Sequence, residues 1–140
     1  MPDFKNFSFK NVNVIYGILE LEGFAEGDDV VTIETSVDQF SKLVGAKGDV
    51  ARSQTADNSC TVTVKLLQTS KSNKLLNALF ITDKETGAAV APMVINDKET
   101  DETYAINNAW IMKQPTIIRG QNANITEWVF EGDFLTAILL

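Results

Sequence analysis

Residues 59–68 read SCTVTVKLLQ, and this stretch decides the fold class of the chain. Two sets of side chains alternate along it with a period of two residues: Cys60, Val62, Val64 and Leu66 against Thr61, Thr63, Lys65 and Leu67. Such alternation predicts a strand with one buried face. The only cysteine of the chain lies in the first set, so it forms no intrachain disulfide, and we interpret it as a small buried hydrophobe.

Two further strand patterns lie upstream of this stretch. Residues Phe7–Leu21 alternate apolar and polar side chains until Gly17, which permits a turn, and residues 18–22 then complete a hairpin. Residues 30–35, VVTIET, are rich in the β-branched side chains that strands prefer. The first quarter of the chain therefore predicts three strands.

The segment of residues 38–58 is predicted to be a long loop. Phe40, Leu43 and Val44 have helix-like spacing, but Gly45 and Gly48 interrupt it. Long connections are uncommon in compact domains and often have a function. Two interpretations remain open at this point, an irregular surface excursion or an arm that reaches a neighbouring subunit.

One helix is predicted downstream, over about residues 72–82. Ser70 and its polar neighbours supply N-cap chemistry. An apolar stripe with helical spacing would pack on a sheet, and it consists of Leu75, Leu76, Leu79 and Phe80. Residues 88–96 then predict another strand, in which Pro92 indicates an edge position or a bulge, because proline donates no hydrogen bond to a neighbouring strand.

The C-terminal third predicts strands over residues 104–112 and 125–139. In the latter, one parity is aromatic or apolar and the other is acidic: Trp128, Phe130, Phe134 and Ile138 against Glu127, Glu131 and Asp133. This pattern predicts one buried side and one side in water. The final strand stays apolar as far as Leu140, so it requires cover from the domain or from another molecule.

Composition excludes several functional classes. The 140 residues suit a single domain, residues 1–140, with a core large enough to need no disulfide or metal. The chain has no histidine, and no nucleophile has an evident base partner, so we predict a structural or binding protein and not an enzyme. A formal net charge of -7 argues against tight binding of nucleic acid, which depends on lysine and arginine.

The sequence predicts no metal site, no cofactor and no membrane span. Asp97, Glu99 and Asp101 resemble the start of a calcium loop, but Glu102 and Asn108 stand at its sixth and twelfth positions, so the ligand set fails. No stretch reaches the roughly 18 apolar residues of a membrane span. Residues 1–5 lack the order of charges and apolar residues of a secretory signal, which predicts that the protein stays where it is made.

Several segments together resemble the tail tube proteins of tailed bacteriophages, particularly those with contractile tails. The resemblance covers nearly the whole chain and rests on overall pattern, without a catalytic signature. The segments that carry it are FKNVNV at residues 9–14, GFAEGDD at 23–29, VGAKGDVARS at 44–53, TVTVKLLQTS at 61–70 with Asn73 and Leu76, AWIMKQP at 109–115, and EWVF at 127–130.

This resemblance implies a mainly β fold, a small β-sandwich or half-barrel with one flanking helix, similar to the type VI secretion tube protein. It also implies that six copies close a ring and that rings stack into a hollow tube through which DNA passes without specific binding. The expected partners are further copies of the chain and the tail sheath, baseplate and tail terminator proteins. The expected location is the tail of the virion, assembled in the host bacterial cytoplasm.

Two groups of candidate residues follow. We hypothesise that carboxylates on predicted strands face the channel and repel phosphate, namely Glu20, Glu22, Glu127, Glu131 and Asp133; a solvated outer face is the alternative. The resemblance implies that the loop of residues 38–58 reaches an adjacent subunit or ring, with the candidate contacts Asp38, Phe40, Lys42, Leu43, Val44, Lys47, Asp49 and Arg52.

A second functional class remains open from the sequence. A β-sandwich ligand-binding module would recognise carbohydrate or peptide through exposed aromatic side chains. In that case Trp110 or Trp128 would lie on the surface.

Overall fold

The computed structural model describes residues 6–139. The expectations for a signal at residues 1–5 and for Leu140 therefore lie outside the described residues. A short 3-10 helix, Phe9–Asn11, precedes the first strand. The strands are β1 Val12–Tyr16, β2 Leu19–Glu20, β3 Val31–Thr35, β4 Phe40–Val44, β5 Val50–Gln54, β6 Cys60–Leu67, β7 Ala91–Asp97, β8 Glu102–Lys113, β9 Ile125–Gly132 and β10 Leu135–Leu139, and the helix α1 is Lys71–Thr86.

The strands form one antiparallel sheet and one separate hairpin. The sheet has the order β2-β1-β7-β8-β9-β6-β3, and β10 also pairs with β8. The long strand β8 pairs with β9 through its C-terminal half and with β10 through its N-terminal half. Strands β4 and β5 pair only with each other within the described part of the chain. The predicted mainly β class with one helix is confirmed.

The sheet is curled into a half-barrel around its core. Strands β7 and β8 lie between Tyr16 on β1 and Phe130 on β9. In a flat sheet, three inter-strand steps of roughly 4.8 Å would place the two residues about 14 Å apart. Their ring centroids are 5.1 Å apart. The Tyr16 hydroxyl lies 3.0 Å from the carbonyl oxygen of Ala109 on β8. Burial, with Asp83 as a smaller contribution, raises the pKa of Tyr16 to about 12, so the hydroxyl stays protonated and donates.

The backbone after β2 closes one end of the half-barrel. Ala25 donates its N–H to the carbonyl of Lys65, and Leu67 donates to the carbonyl of Gly23. The chain thus crosses from β2 to β6, which lie near opposite ends of the sheet order. The apolar core inside consists of Val14, Tyr16, Leu21, Cys60, Val62, Val64, Leu66, Leu76, Met93, Ile95, Ile106, Ala109, Ile111, Trp128 and Phe130.

The prediction for residues 59–68 is confirmed. Every second residue of β6, from Cys60 to Leu66, is buried, while Leu67 is exposed. Burial is the main cause that raises the pKa of the Cys60 thiol. The alternation predicted the buried residues correctly because β6 lies between β9 and β3, with one face on the core and one face outward.

Helix α1 begins as predicted and ends later than predicted. The Ser70 hydroxyl accepts a hydrogen bond from the Ser72 N–H, and Gly87, whose φ of 68° is left-handed, caps the helix after Thr86. Leu76 is fully buried, but Leu75 is half exposed, so its predicted place in the stripe is wrong. The buried face runs through residues 72, 76, 79 and 80, which leaves residue 75 on the flank.

Two predicted buried residues near the C-terminus, Phe134 and Ile138, are instead exposed, at 43% and 46%. The alternation holds through Trp128 and Phe130, which are both fully buried. Past the end of β9 it changes, and Leu135, of the opposite parity, packs on the core. The two residues between β9 and β10 belong to neither strand, and this break moves the inward-facing set by one position.

Pro92 lies at a bulge, which is one of the two predicted settings. Ala91 pairs with Ala109 and Met93 pairs with Ile106, so β8 has one residue more than β7 across this interval. The carbonyl of Pro92 accepts a hydrogen bond from the N–H of Gly17, where β1 ends. Because proline donates no hydrogen bond, a break in the pairing is where an interior strand tolerates it.

Two further expectations for the chain are corrected. Residues 7–11 are not strand, since the 3-10 helix occupies Phe9–Asn11 and β1 begins at Val12. The segment of residues 38–58, predicted as a long loop, contains the hairpin of β4 and β5 with Gly45 and Gly48 in its turn. The glycines that interrupt the helical spacing are thus the residues that allow the chain to reverse.

Candidate functional site

The hairpin of β4 and β5 projects from the domain with every strand residue exposed. All the candidate contact residues predicted in this segment are exposed: Asp38, Phe40, Lys42, Leu43, Val44, Lys47, Asp49 and Arg52. An isolated two-stranded hairpin is marginally stable in water. The apolar side chains on this hairpin therefore have no cover within the described chain.

One face of this hairpin combines apolar and cationic side chains. Lys42 pairs directly with Arg52, and Val44 pairs with Val50 on the same face. The Arg52 guanidinium carbon lies 4.3 Å from the centroid of the Phe40 ring. Like charges opposite each other destabilise a strand pair. Among the described residues the only ion pair is Lys65–Asp29, so neither cation of the hairpin has a carboxylate partner there.

Two of the predicted carboxylates, Glu127 and Glu131, share the outward face of β9. Glu127 pairs with Lys65 and Glu131 with Thr61 on the neighbouring strand β6. Glu34 on β3 also pairs with Thr61, so it joins the same row across the sheet. Glu34 is a residue that our sequence reasoning missed. The alternation in residues 30–35, with Val31 and Ile33 on the other parity, was the signal that could have found it.

The remaining predicted carboxylates lie elsewhere. Glu20 is exposed on β2, at the other end of the sheet order from β3, and Glu22 follows it. Asp133 lies between β9 and β10, where its carboxylate accepts hydrogen bonds from the Asn108 amide side chain at 2.7 Å and backbone N–H at 3.0 Å. The side-chain bond from Asn108 is the main cause that lowers the pKa of Asp133. The five carboxylates therefore do not form one cluster within a single subunit.

Several strand edges have no partner among residues 6–139. Strands β2 and β3 are the two ends of the sheet order, and β10 pairs only with β8 among the described residues. Open edges present unpaired N–H and C=O groups that can pair with another chain. These edges and the uncovered hairpin are available for contact with another chain.

An apolar cleft of about 740 Å³ lies between the N-terminal segment, the loop of residues 25–28, β3 and strands β7, β8 and β10. Its apolar lining includes Phe7, Phe9, Val31, Ile33, Tyr104 and Leu135. Its charged lining is acidic: Glu26, Asp28, Asp97 and Glu102 contribute to it, and no lysine or arginine does so within the described residues. The Tyr104 hydroxyl donates to the Glu102 carboxylate at 2.7 Å, which is the main cause that raises the pKa of Tyr104.

Comparison with known proteins identifies the family of this chain. Residues 4–139 match the family model of the bacteriophage PhiTE tail tube protein. The chain belongs to this tail tube family. A structural protein, ORF10, of Pseudomonas phage KPP10 is 34% identical over 111 residues, which cover 78% of this chain and 64% of that protein. The chain therefore spans less than two thirds of the length of this relative.

Two solved structures share the fold of this chain at low sequence identity. The sheath/tube terminator of the extracellular contractile injection system PVC has a TM-score of 0.67 at 12% identity, over 96% of this chain and 98% of that chain. A chain of the PVC sheath–tube complex has a TM-score of 0.63 at 14% identity, over 96% and 93%. The resemblance seen in the sequence is confirmed at the level of family and fold.

The tail tube family is a family of structural proteins, so the chain is not an enzyme. Trp128 is fully buried and donates its indole N–H to the Asn73 side-chain oxygen at 2.8 Å, so this ring is not available at the surface of a ligand-binding module. Trp110, on β8, is partly buried. Over residues 6–139 no three acidic or cysteine side chains are placed to hold a metal ion. No described helix is long and apolar enough to span a membrane.

Proposed function

We propose that this chain is the building block of a phage tail tube, in which six copies close a ring and rings stack around a channel for DNA. The observation that carries the proposal is the set of open strand edges on β2, β3 and β10 in a chain of the tail tube family. Pairing between the edges of neighbouring copies would satisfy their backbone groups and join the half-barrels into one continuous wall. A heterologous contact that closes on itself gives a ring.

The channel wall is proposed to be the outward face that carries Glu34, Glu127 and Glu131. Six copies of this row would ring the channel with carboxylates. At physiological salt the repulsion of phosphate acts over roughly 8 Å. A net charge of -7 per subunit supports the same sign of field. DNA would pass such a wall without adhering to it.

The proposed partners follow from this role. They are further copies of the chain, with tail sheath, baseplate and tail terminator proteins at its surface and ends. The proposed location is the tail of the virion, after assembly in the host bacterial cytoplasm. The exposed residues of the β4–β5 hairpin support contact with an adjacent subunit or ring.

Negative-stain electron microscopy of the purified protein, with light scattering for mass, tests the assembly. Rings or tubes with a mass of six chains per ring are the expected result. A strictly monomeric species at high concentration would overturn the proposal.

The channel wall has its own test, in which tubes are incubated with a fluorescent single-stranded oligonucleotide and pelleted. Glu127→Lys/Glu131→Lys tubes are expected to retain several-fold more oligonucleotide than wild-type tubes, since the reversed charges attract phosphate. The control is Glu85→Lys/Glu99→Lys, with one substitution on helix α1 and one in the turn after β7, and it changes the net charge by the same amount. Equal retention by the two variants would show that Glu127 and Glu131 do not face the channel.

A further inference from the structure

The β4–β5 hairpin and the apolar cleft are complementary surfaces of the same chain. The hairpin offers Phe40, Val44 and Val50 with two unpaired cations, Lys42 and Arg52, on one face. The cleft offers apolar walls and carboxylates without a cation in its described lining. The hairpin thus has cations without carboxylate partners, and the cleft has carboxylates without a cation in its described lining.

The charges of the hairpin indicate the kind of partner it needs. Lys42 directly opposite Arg52 is unfavourable in a free hairpin. Carboxylates placed between or beside these cations would remove the repulsion, and lysine and arginine bind carboxylates through charge-assisted hydrogen bonds. Glu26 and Asp28 are exposed at the cleft and free of ion pairs in the described chain, so they are suited to this contact.

The apolar side chains indicate the same partner. Phe40 is 48% exposed, and Val50 is 65% exposed. The cleft at about 740 Å³ is large enough to receive several such side chains. Burial of apolar surface is the main favourable contribution to most protein association.

The hairpin does not occupy the cleft of its own chain in this structure. The hairpin starts at Phe40, five residues after Thr35, which lines the cleft, yet all its strand residues remain exposed. The hairpin and the cleft are different surfaces, so a contact between two copies is heterologous, the type that forms rings and stacked filaments.

We infer that the cleft is the docking site for the β4–β5 hairpin of a neighbouring copy of this chain. Phe40, Val44 and Val50 enter the apolar part, while Lys42 and Arg52 meet the carboxylates Glu26 and Asp28. This inference rests on the proposed assembly and adds the surface that receives the hairpin.

Charge reversal tests the contact in the full chain. Lys42→Glu/Arg52→Glu and, separately, Glu26→Lys/Asp28→Lys are each expected to raise the protein concentration needed for assembly at least tenfold, measured by sedimentation of tubes. The four substitutions together are expected to restore assembly to within about threefold of wild type. Lys71→Glu/Lys74→Glu on helix α1 changes net charge as the hairpin variant does and serves as the control. No recovery in the fourfold variant would overturn the inference.

Cross-linking shows which surfaces meet. Tagged Val44→Cys protein is mixed with untagged Asp28→Cys protein under assembly conditions, and a short bismaleimide is added; the native Cys60 is buried and remains in both. A conjugate of one tagged and one untagged chain is the expected product. Tubes without this conjugate would overturn the docking inference and leave the proposed function standing, whereas absence of any assembly by wild-type protein would overturn both.

Discussion

Gly132→Ala is expected to destabilise the subunit, because Gly132 lies where three strands crowd together. It pairs with Cys60 on β6 and with Ala109 on β8. An added Cβ would overlap Ile106 Cγ2 and would lie 3.2 Å from Cys60 Sγ. Ile106 and Cys60 are both buried, so neither side chain can move into solvent. The position therefore has no room for a methyl group without a shift of the core.

The magnitude follows from two opposing contributions. Overpacking of a well-packed core costs about 1–3 kcal/mol. Replacement of glycine by alanine reduces the entropy of the unfolded chain and stabilises by about 0.4–1 kcal/mol where the native backbone is compatible. Gly132 has no left-handed φ, so this second contribution applies. The two ranges combine to a net loss of about 0–2.6 kcal/mol in the free energy of unfolding, or about 1.3 kcal/mol at their midpoints.

Urea denaturation of dilute subunits, followed by the tryptophan fluorescence of Trp110 and the buried Trp128, measures this loss. Gly120→Ala is the matched control, because an added Cβ there meets nothing within 4 Å, and its stability should be unchanged or slightly higher. Ile106→Ala removes the overlapping methyl group and costs about 2–5 kcal/mol alone. Combined with Gly132→Ala, it should cost less than the sum of the two single losses. A Gly132→Ala subunit that is more stable than wild type, or strict additivity in the pair, would refute the steric argument.

Three further predictions concern the helix, the indole and an acidic turn. Leu76→Ala should lower the free energy of unfolding by about 2–5 kcal/mol because the side chain is fully buried, while Leu75→Ala should change it little; equal losses in urea denaturation would contradict this. Trp128→Phe should cost about 1–3 kcal/mol, since it removes the donor to the Asn73 side-chain oxygen, and an unchanged melting temperature would contradict the bond. Asp133 has a lowered pKa in the fold, so its stabilisation is present above its unfolded pKa of about 3.9 and is lost as pH falls. Asp133→Asn should therefore lose stability less steeply below about pH 4 than wild type, and parallel acid-unfolding curves would disprove its role.

Local pattern predicted those parts of the fold where one strand has a single environment along its whole length. Strand β6 has core on one face throughout, and the capping of α1 by Ser70 is a contact between near neighbours in sequence. Pattern was wrong where the environment changes within a segment. The exposure of Phe134 follows from the break between β9 and β10, which no residue type announces.

The candidate surfaces show the same division. The sequence singled out residues 38–58 as functional, but their helix-like apolar spacing and two glycines concealed a hairpin. The sequence pattern placed Glu127 and Glu131 on the same strand face, as in the structure. It did not single out Glu34, which joins them only because β3 pairs with β6. The cleft was not predicted at all, because its lining comes from segments as far apart as Phe7 and Leu135.

A mainly β fold, one capped helix and a place among the tail tube proteins can be inferred from sequence, because strand period, capping chemistry and family pattern depend on neighbouring residues. The curl of the sheet, its open edges and the unpaired charges on the hairpin become visible only in the folded chain. These depend on strand order and register, which bring together residues that are distant in the chain. The surfaces proposed for assembly are of this second kind.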